Sequence, residues 1–162
     1  MSLSNKFAAV AIAVSESIQN AAGDLPLTTA AALVTLTSGQ AMCIGEISRV
    51  VGLTHSATVR LIDRLEDGAL VRRHKRVGRE VAVEITARGR RKVDSILEAR
   101  DRVVAQLLEG LASDDRQAMS AVLDRILLRS CECGMTRERL CRLCRPGHCD
   151  CALARQPASP AG

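Results

Sequence analysis

The stretch CIGEISRVVGLTHSATVRLIDRLEDGALV, residues 43–71, decides the fold. It reads as two short helices joined by a turn and followed by the start of a strand. Ile47, Val50 and Val51 give the first helix a small apolar face, and Gly52 stops it. Thr54 suits the N-cap of the second helix, because its hydroxyl can accept one of the unpaired N–H groups of the first turn. At helical spacing, residues 55–67 put Ala57, Thr58, Leu61, Ile62 and Leu65 on one side. Ser56, Val59, Arg60 and Asp63 fall on the other. A small outer face carrying hydroxyls and arginine is what a major groove admits. An ordinary amphipathic pair with a solvated face fits this window equally.

The next residues shift the balance. VRRHKRVGREVAVEIT (71–86) holds β-branched residues at Val71, Val81, Val83, Ile85 and Thr86, interrupted by Arg76-Val77-Gly78-Arg79. That interruption is a hairpin signal, and the alternation of Val81, Val83 and Ile85 with Ala82 and Glu84 predicts a strand with one buried face. A helix-turn-helix followed by a basic hairpin is a winged helix. Arg72, Arg73, His74, Lys75, Arg76 and Arg79 give the wing a cationic character suited to phosphates or a narrow minor groove.

On these residues the chain resembles a known family. Residues 46–93, through GLTHSATVRLIDRLEDGALVRR and REVAVEITARGRRKV, are similar to the DNA-binding core of the MarR family of bacterial transcription regulators. Thr86 to Gly89 stands where that family enters its long dimer helix. The resemblance implies that Ser56, Thr58 and Arg60 enter the major groove, with Thr54 and His55 beside them. Arg64, Arg72, Arg73, Lys75, Arg76 and Arg79 would hold backbone or minor groove. The family's wing commonly carries an Asp two residues before an Arg. Here those places hold Val77 and Arg79, so Arg79 is carried over as the wing-tip contact without its acidic partner.

At 162 residues the chain suits one domain with a real core. Phe7 is its only Phe, Tyr or Trp, which argues against single-stranded nucleic acid binding through stacking platforms. Net charge is +5, carried mostly by arginine, whose planar fork matches phosphate and guanine edges. No signal peptide is read at the N-terminus, and no run reaches the roughly 20 apolar residues needed to span a bilayer. The expectation is a cytoplasmic protein with no membrane partner.

Around the core, Phe7, Val10, Ala11, Val14 and Ile18 form one helical stripe, ended by Gly23 and Pro26. Thr28 or Thr29 is expected to cap a second short helix through Leu33, Leu36 and Thr37. Beyond the wing, Thr86 caps a long helix reaching about Glu109, with Val93, Ile96, Leu97, Val103, Val104, Leu107 and Leu108 in a stripe crossed by Arg100. Ser113 is the expected N-cap of a last helix that buries Met119, Val122, Leu123, Ile126 and Leu127. The outer helices hold more apolar surface than one winged helix needs, and in the resembled family such elements interlock two subunits. The fold class is therefore mainly α with a small β wing. Residues 1–27 and 87–129 form dimerisation helices, 28–86 the winged helix-turn-helix, 130–154 a cysteine-rich segment and 155–162 a disordered tail.

Six of the seven cysteines lie in SCECGMTRERLCRLCRPGHCDC, at 131, 133, 141, 144, 149 and 151. Met135, Leu140 and Leu143 alone offer apolar burial there, so the segment needs another source of folding free energy. A structural zinc ion supplies on the order of 10–16 kcal/mol. The expected four-thiolate set is Cys141, Cys144, Cys149 and Cys151, with Cys131 and Cys133 as exchangeable ligands and His148 more simply an exposed side chain. Zinc is the default, an iron–sulfur cluster the alternative, and copper(I) also prefers such ligands. Cys43, before the first helix of the motif, reads as a small buried hydrophobe.

The expected function is a sequence-specific transcription regulator of repressor type. It would bind a pseudo-palindromic double-stranded operator as a homodimer and respond to the metal, cluster or redox state of the cysteines. One competitor is a regulator answering a small-molecule effector, with a purely structural zinc site. The other is a thiol oxidoreductase or metal-transfer protein using Cys141 and Cys144, against which no thioredoxin-like βαβ pattern surrounds the pair. No catalytic constellation is read elsewhere.

Overall fold

The computed structural model describes residues 2–75, 81–145, 147 and 149–155. Helix α1 (Leu3–Ala22) is capped by Ser2, and α2 (Leu27–Leu36) follows after a sharp turn. Strand β1 (Met42–Cys43) leads into α3 (Ile44–Val51) and α4 (His55–Asp67). The wing strands are β2 (Val71–Lys75) and β3 (Val81–Ile85). Long helices α5 (Ala87–Leu107) and α6 (Ser113–Glu132) come next, then two short turns of helix, α7 (Arg137–Leu140) and α8 (Ala152–Arg155). The sheet is antiparallel with order β1-β3-β2, Met42 pairing with Val83 and Val71 with Ile85.

The core gathers where α2, the helix-turn-helix, β3 and α5 converge. Leu33, Leu36, Ile47, Leu61, Ile62, Leu65, Val83 and Leu97 are all essentially removed from water. Burying side chains of this size favours folding by about 1.5–3 kcal/mol each, which explains why so short a helix as α2 is stable: packing rather than propensity holds it. The central strand departs from simple alternation. Ala82 and Val83 are both fully buried, whereas Val81 is 39% exposed at the strand's outer end. The third strand, β1, is too short to have a periodicity of its own.

Several cap assignments are corrected. Helix α2 begins at Pro26, whose carbonyl accepts from Thr29 and Ala30, and neither Thr28 nor Thr29 is the cap. The Gln19 side chain replaces a threonine hydroxyl there, accepting from the Leu27 N–H at 2.9 Å while donating to the Leu25 carbonyl at 3.1 Å. Likewise Ala112 is the N-cap of α6, and the Ser113 hydroxyl is 3.3 Å from Asp114 instead. The boundary expected at residue 129 lies inside α6, which runs on to Glu132.

Helix α6 does not bury its stripe within one chain. Val122 and Leu123 are 42% and 46% exposed, and Met119, Ile126 and Leu127 are half-buried. On α1, Phe7, Val10 and Ile12 are also exposed.

Candidate nucleic-acid interface and cysteine site

Helix α4 is set by local chemistry at both ends of the helix and turn before it. The Cys43 thiol accepts from the backbone of α3's first turn while the Glu46 carboxylate accepts from the Cys43 N–H at 2.7 Å. That pair is a capping box, and it leaves Cys43 half-buried rather than fully buried as expected. Gly52 ends α3 in the left-handed region at φ +72°, where a side chain would be strained, and its N–H bonds back to Ser48. Thr54 then caps α4 as expected, its hydroxyl accepting from the Ala57 N–H at 3.3 Å.

Thr54, His55, Ser56, Arg60 and Arg64 are exposed along one side of α4. Leu61, Ile62 and Leu65 anchor the other side in the core. Thr58 belongs with the anchors. It is fully buried and its hydroxyl donates to the Thr54 carbonyl at 2.9 Å, so it is a packing residue and not a groove contact. Its position at the edge of the wheel, together with a methyl that fits an apolar contact, made either role open from spacing alone.

The wing arginines divide in the same way. Arg72 is exposed and paired with Glu84 at 2.8 Å, with His74 3.7 Å from the same carboxylate. Arg73 is turned inward: its guanidinium reaches Asp63 and Glu66 on α4, each at 2.6 Å, and its N–H donates to Glu66 at 2.9 Å. Burial alone would depress this guanidinium, but the bonds to Asp63 and Glu66 outweigh it and raise its pKa. Arg73 therefore ties the wing to α4, its guanidinium engaged by two carboxylates. Lys75 closes β2 opposite Val81. Arg76 and Arg79 lie outside the described residues, as does His148.

The cysteine segment is docked onto the rest of the chain. Thr136 caps α7, Cys141 ends it, and the Cys144 N–H bonds to the Cys141 carbonyl at 2.8 Å. Leu143, between the two cysteines, packs against both apolar clusters, beside Leu25. Its carbonyl accepts from Arg100 of α5, and Arg145 stands 3.9 Å from Asp94 and 3.7 Å from Asp101. At the far end Asp124 of α6 accepts from the Ala152 N–H and from Arg155, both at 2.9 Å, and Leu153 is buried. Sequence reasoning missed these anchors. The one available signal was Arg100, a charge set in an apolar stripe.

Cys141, Cys144, Cys149 and Cys151 are half-buried and act on one another. The Cys149 thiol lies 3.1 Å from the Cys151 sulfur and donates to it. Burial, then the charges of Cys144 and Cys151, push the Cys141 thiol up to about 12. Burial also opposes ionisation of Cys151, but the bond from Cys149 and the N–H groups of Ala154 and Leu153 outweigh it and lower its pKa. Cys131 and Cys133 sit apart at the end of α6, Cys133 being exposed beside Val122, Ile126 and Met135. Among the described residues no three side chains already stand in metal-coordinating geometry. By residue type, four half-buried sulfur donors are what a soft cation takes, were they brought into coordinating geometry.

No family model matches the chain, and no curated protein matches it. Solved structures do. MepR, a transcription regulator of the Staphylococcus aureus multidrug efflux pump MepA, aligns over 80% of this chain and 98% of its own, at 17% identity and a TM-score of 0.72. A MarR family protein from Bacillus stearothermophilus aligns over 79% and 92%, at 23% identity and a TM-score of 0.69. A MarR family regulator from Silicibacter pomeroyi covers 78% of this chain and 86% of its own, at 25% identity and a TM-score of 0.55. The winged-helix fold of this chain is the one those regulators have.

Proposed function

We propose that this chain, with the fold of MarR-family transcription regulators, binds double-stranded DNA sequence-specifically as a homodimer and acts as a repressor. The observation that carries the reading is the solvent-facing row Thr54, His55, Ser56, Arg60 and Arg64 on a helix whose opposite side is locked in the core. Such a helix meets base edges without unfolding anything. In this reading Arg60 would fork onto a guanine, and Arg64 and Arg72 would hold phosphates. The exposed apolar side chains of α1 and α6 suit a second copy of the chain, which would set two reading helices on half-sites about 34–36 Å apart or a multiple of it. A two-fold protein then reads a pseudo-palindrome. No helix among the described residues is long and apolar enough to cross a membrane, in keeping with a cytoplasmic regulator.

The same proposal gives the cysteines a zinc ion, held by Cys141, Cys144, Cys149 and Cys151 once the thiols rearrange around it. Zinc bound there would supply folding free energy to a segment poor in apolar burial.

Selection of duplexes from a random library, followed by footprinting at low ionic strength, tests the DNA reading. The expected result is a protected inverted repeat bound by a particle of about twice the 17.3 kDa chain mass. No protected duplex, or a monomer on and off DNA, overturns it. Elemental analysis with an absorption spectrum of anaerobically purified protein tests the metal: a colourless protein with zinc supports the assignment, while brown colour with iron and sulfide replaces it by a cluster.

A further inference from the structure

The cysteine segment touches the core on two sides and also α6, which packs chiefly on α8 and little on that core. On one side α7 packs against α3, and the Arg139 guanidinium lies directly over Gly52, 2.8 Å from where a Cβ would stand, at the turn that aims α4. Cys141, Cys144 and Cys149 share a cleft with Val34, Met42 and Val50 of that same region. In the middle, Leu143 is wedged against the clusters of α1, α2 and α5, with its carbonyl held by Arg100. On the far side α8 is the element on which α6 chiefly packs, pinned by Asp124 and the buried Leu153. The thiol set is distributed accordingly. Cys141 and Cys144 follow α7 and, with Cys149, line the cleft on the helix-turn-helix side, whereas Cys151 precedes α8 and shares a cleft with Leu123 and Leu127 of α6.

We infer that the cysteine segment is a brace between the reading head and the dimer arm, closed by one soft divalent cation, zinc, that ties its two halves together and strengthens operator binding. This rests on the DNA-binding and zinc readings above and adds how the one acts on the other. Coordination exchanges S–H bonds for S–Zn bonds, the protons leaving to solvent, with no electron changing hands. The cation binds all four sulfurs only when α7 and α8 are held at one separation, so it favours one placement of α3 relative to α6. An ion with this differential affinity shifts the population toward that placement, and DNA that prefers it binds more tightly. The resulting thiolate cluster carries net negative charge in a cleft that Arg142 and Arg145 also line.

The test uses the full-length dimer, made metal-free by dialysis against chelator under reductant and then titrated with Zn2+. Zinc stoichiometry, operator affinity by fluorescence anisotropy and amide hydrogen exchange in α3 are followed together. One zinc per chain, an operator Kd tightened by about 5- to 150-fold and slower exchange in α3 are expected. R139A removes the contact to the turn and D124A the anchor on α6, and circular dichroism reports whether each stays folded. Both are expected to keep one zinc and lose the affinity response. A Cys144→Ser, Cys149→Ser double variant should neither bind zinc nor respond. Zinc uptake with operator affinity unchanged within twofold, or R139A and D124A both responding in full, overturns the brace alone. No zinc uptake overturns the site and the brace with it, whereas failure to select any duplex overturns the DNA reading.

Discussion

Arg73 on β2 places its guanidinium 2.6 Å from the Asp63 carboxylate on α4, so the wing is fastened to α4 by an ion pair that spans two elements. With Glu66 as the second partner, one side chain holds two carboxylates at once. Arg73→Ala removes the guanidinium from both, although Glu66 keeps the backbone N–H, and should cost up to about 1 kcal/mol of stability, read from the urea midpoint. Arg73→Lys should recover only part of it, because an ammonium cannot fork onto both. An unchanged midpoint in Arg73→Ala would show that the clamp adds nothing.

Thr58 and Arg60 are two residues apart and should fail in opposite ways. Thr58→Val removes the hydroxyl that donates to Thr54, lowering stability by about 1 kcal/mol while base preference stays the same. Arg60→Ala should leave stability within about 0.5 kcal/mol and weaken operator binding by about 1–3 kcal/mol, with relaxed discrimination at one base pair. Competition binding against single-base operator variants separates them. A changed base preference in the Thr58 variant would return that residue to the interface.

Gly89 is required by close approach rather than by backbone conformation. A Cβ there would lie 2.1 Å from the Leu70 carbonyl oxygen and 2.7 Å from Ile85 Cγ1. That carbonyl cannot easily retreat, since it accepts from both the N–H and the hydroxyl of Thr86, at 3.0 and 3.1 Å. Gly89→Ala should therefore cost about 1–3 kcal/mol as the start of α5 is pushed off the wing, measured by chemical unfolding.

Glu84 gives the wing an acid dependence. The bond from Arg72 is the largest influence on its carboxylate, and together with the His74 and Arg72 charges it outweighs burial and holds the pKa below the ordinary 4.5. A depressed pKa means a contribution that is complete above pH 4.5 and is lost as pH falls through the folded value. Melting temperatures of the wild type and Glu84→Gln should differ slightly at neutral pH and converge on acidification. The gap should also narrow in high salt, because the pair is exposed. A gap that persists in strong acid would assign the effect to something other than this charge.

Much of the framework was legible because the decisive signals were local. Gly52 and Thr54 mark a turn by their own backbone and side-chain chemistry, and Thr86 opens α5 for the same reason. The assignments that failed were those where a distant group took over a local role. Gln19, eight residues from Leu27, made a threonine cap at α2 unnecessary. The inward turn of Arg73 depended on carboxylates seven and ten residues away, on another element. For the cysteines, spacing proposed a set of four; in the folded chain Cys141, Cys144, Cys149 and Cys151 influence one another's ionisation, and among the described residues no three side chains stand in metal-coordinating geometry. Nothing in the spacing said what the segment rests on.

By itself the sequence determined the succession of helices, turn and wing, because caps, left-handed glycine and apolar period act within a few residues of chain. The tertiary structure alone decided which polar side chains stay outside and where the cysteine segment docks. Those choices turn on contacts such as Arg100 with Leu143, 43 residues apart, and Asp124 with Arg155, 31 apart. Contacts of that span exist only once the core has brought their elements together.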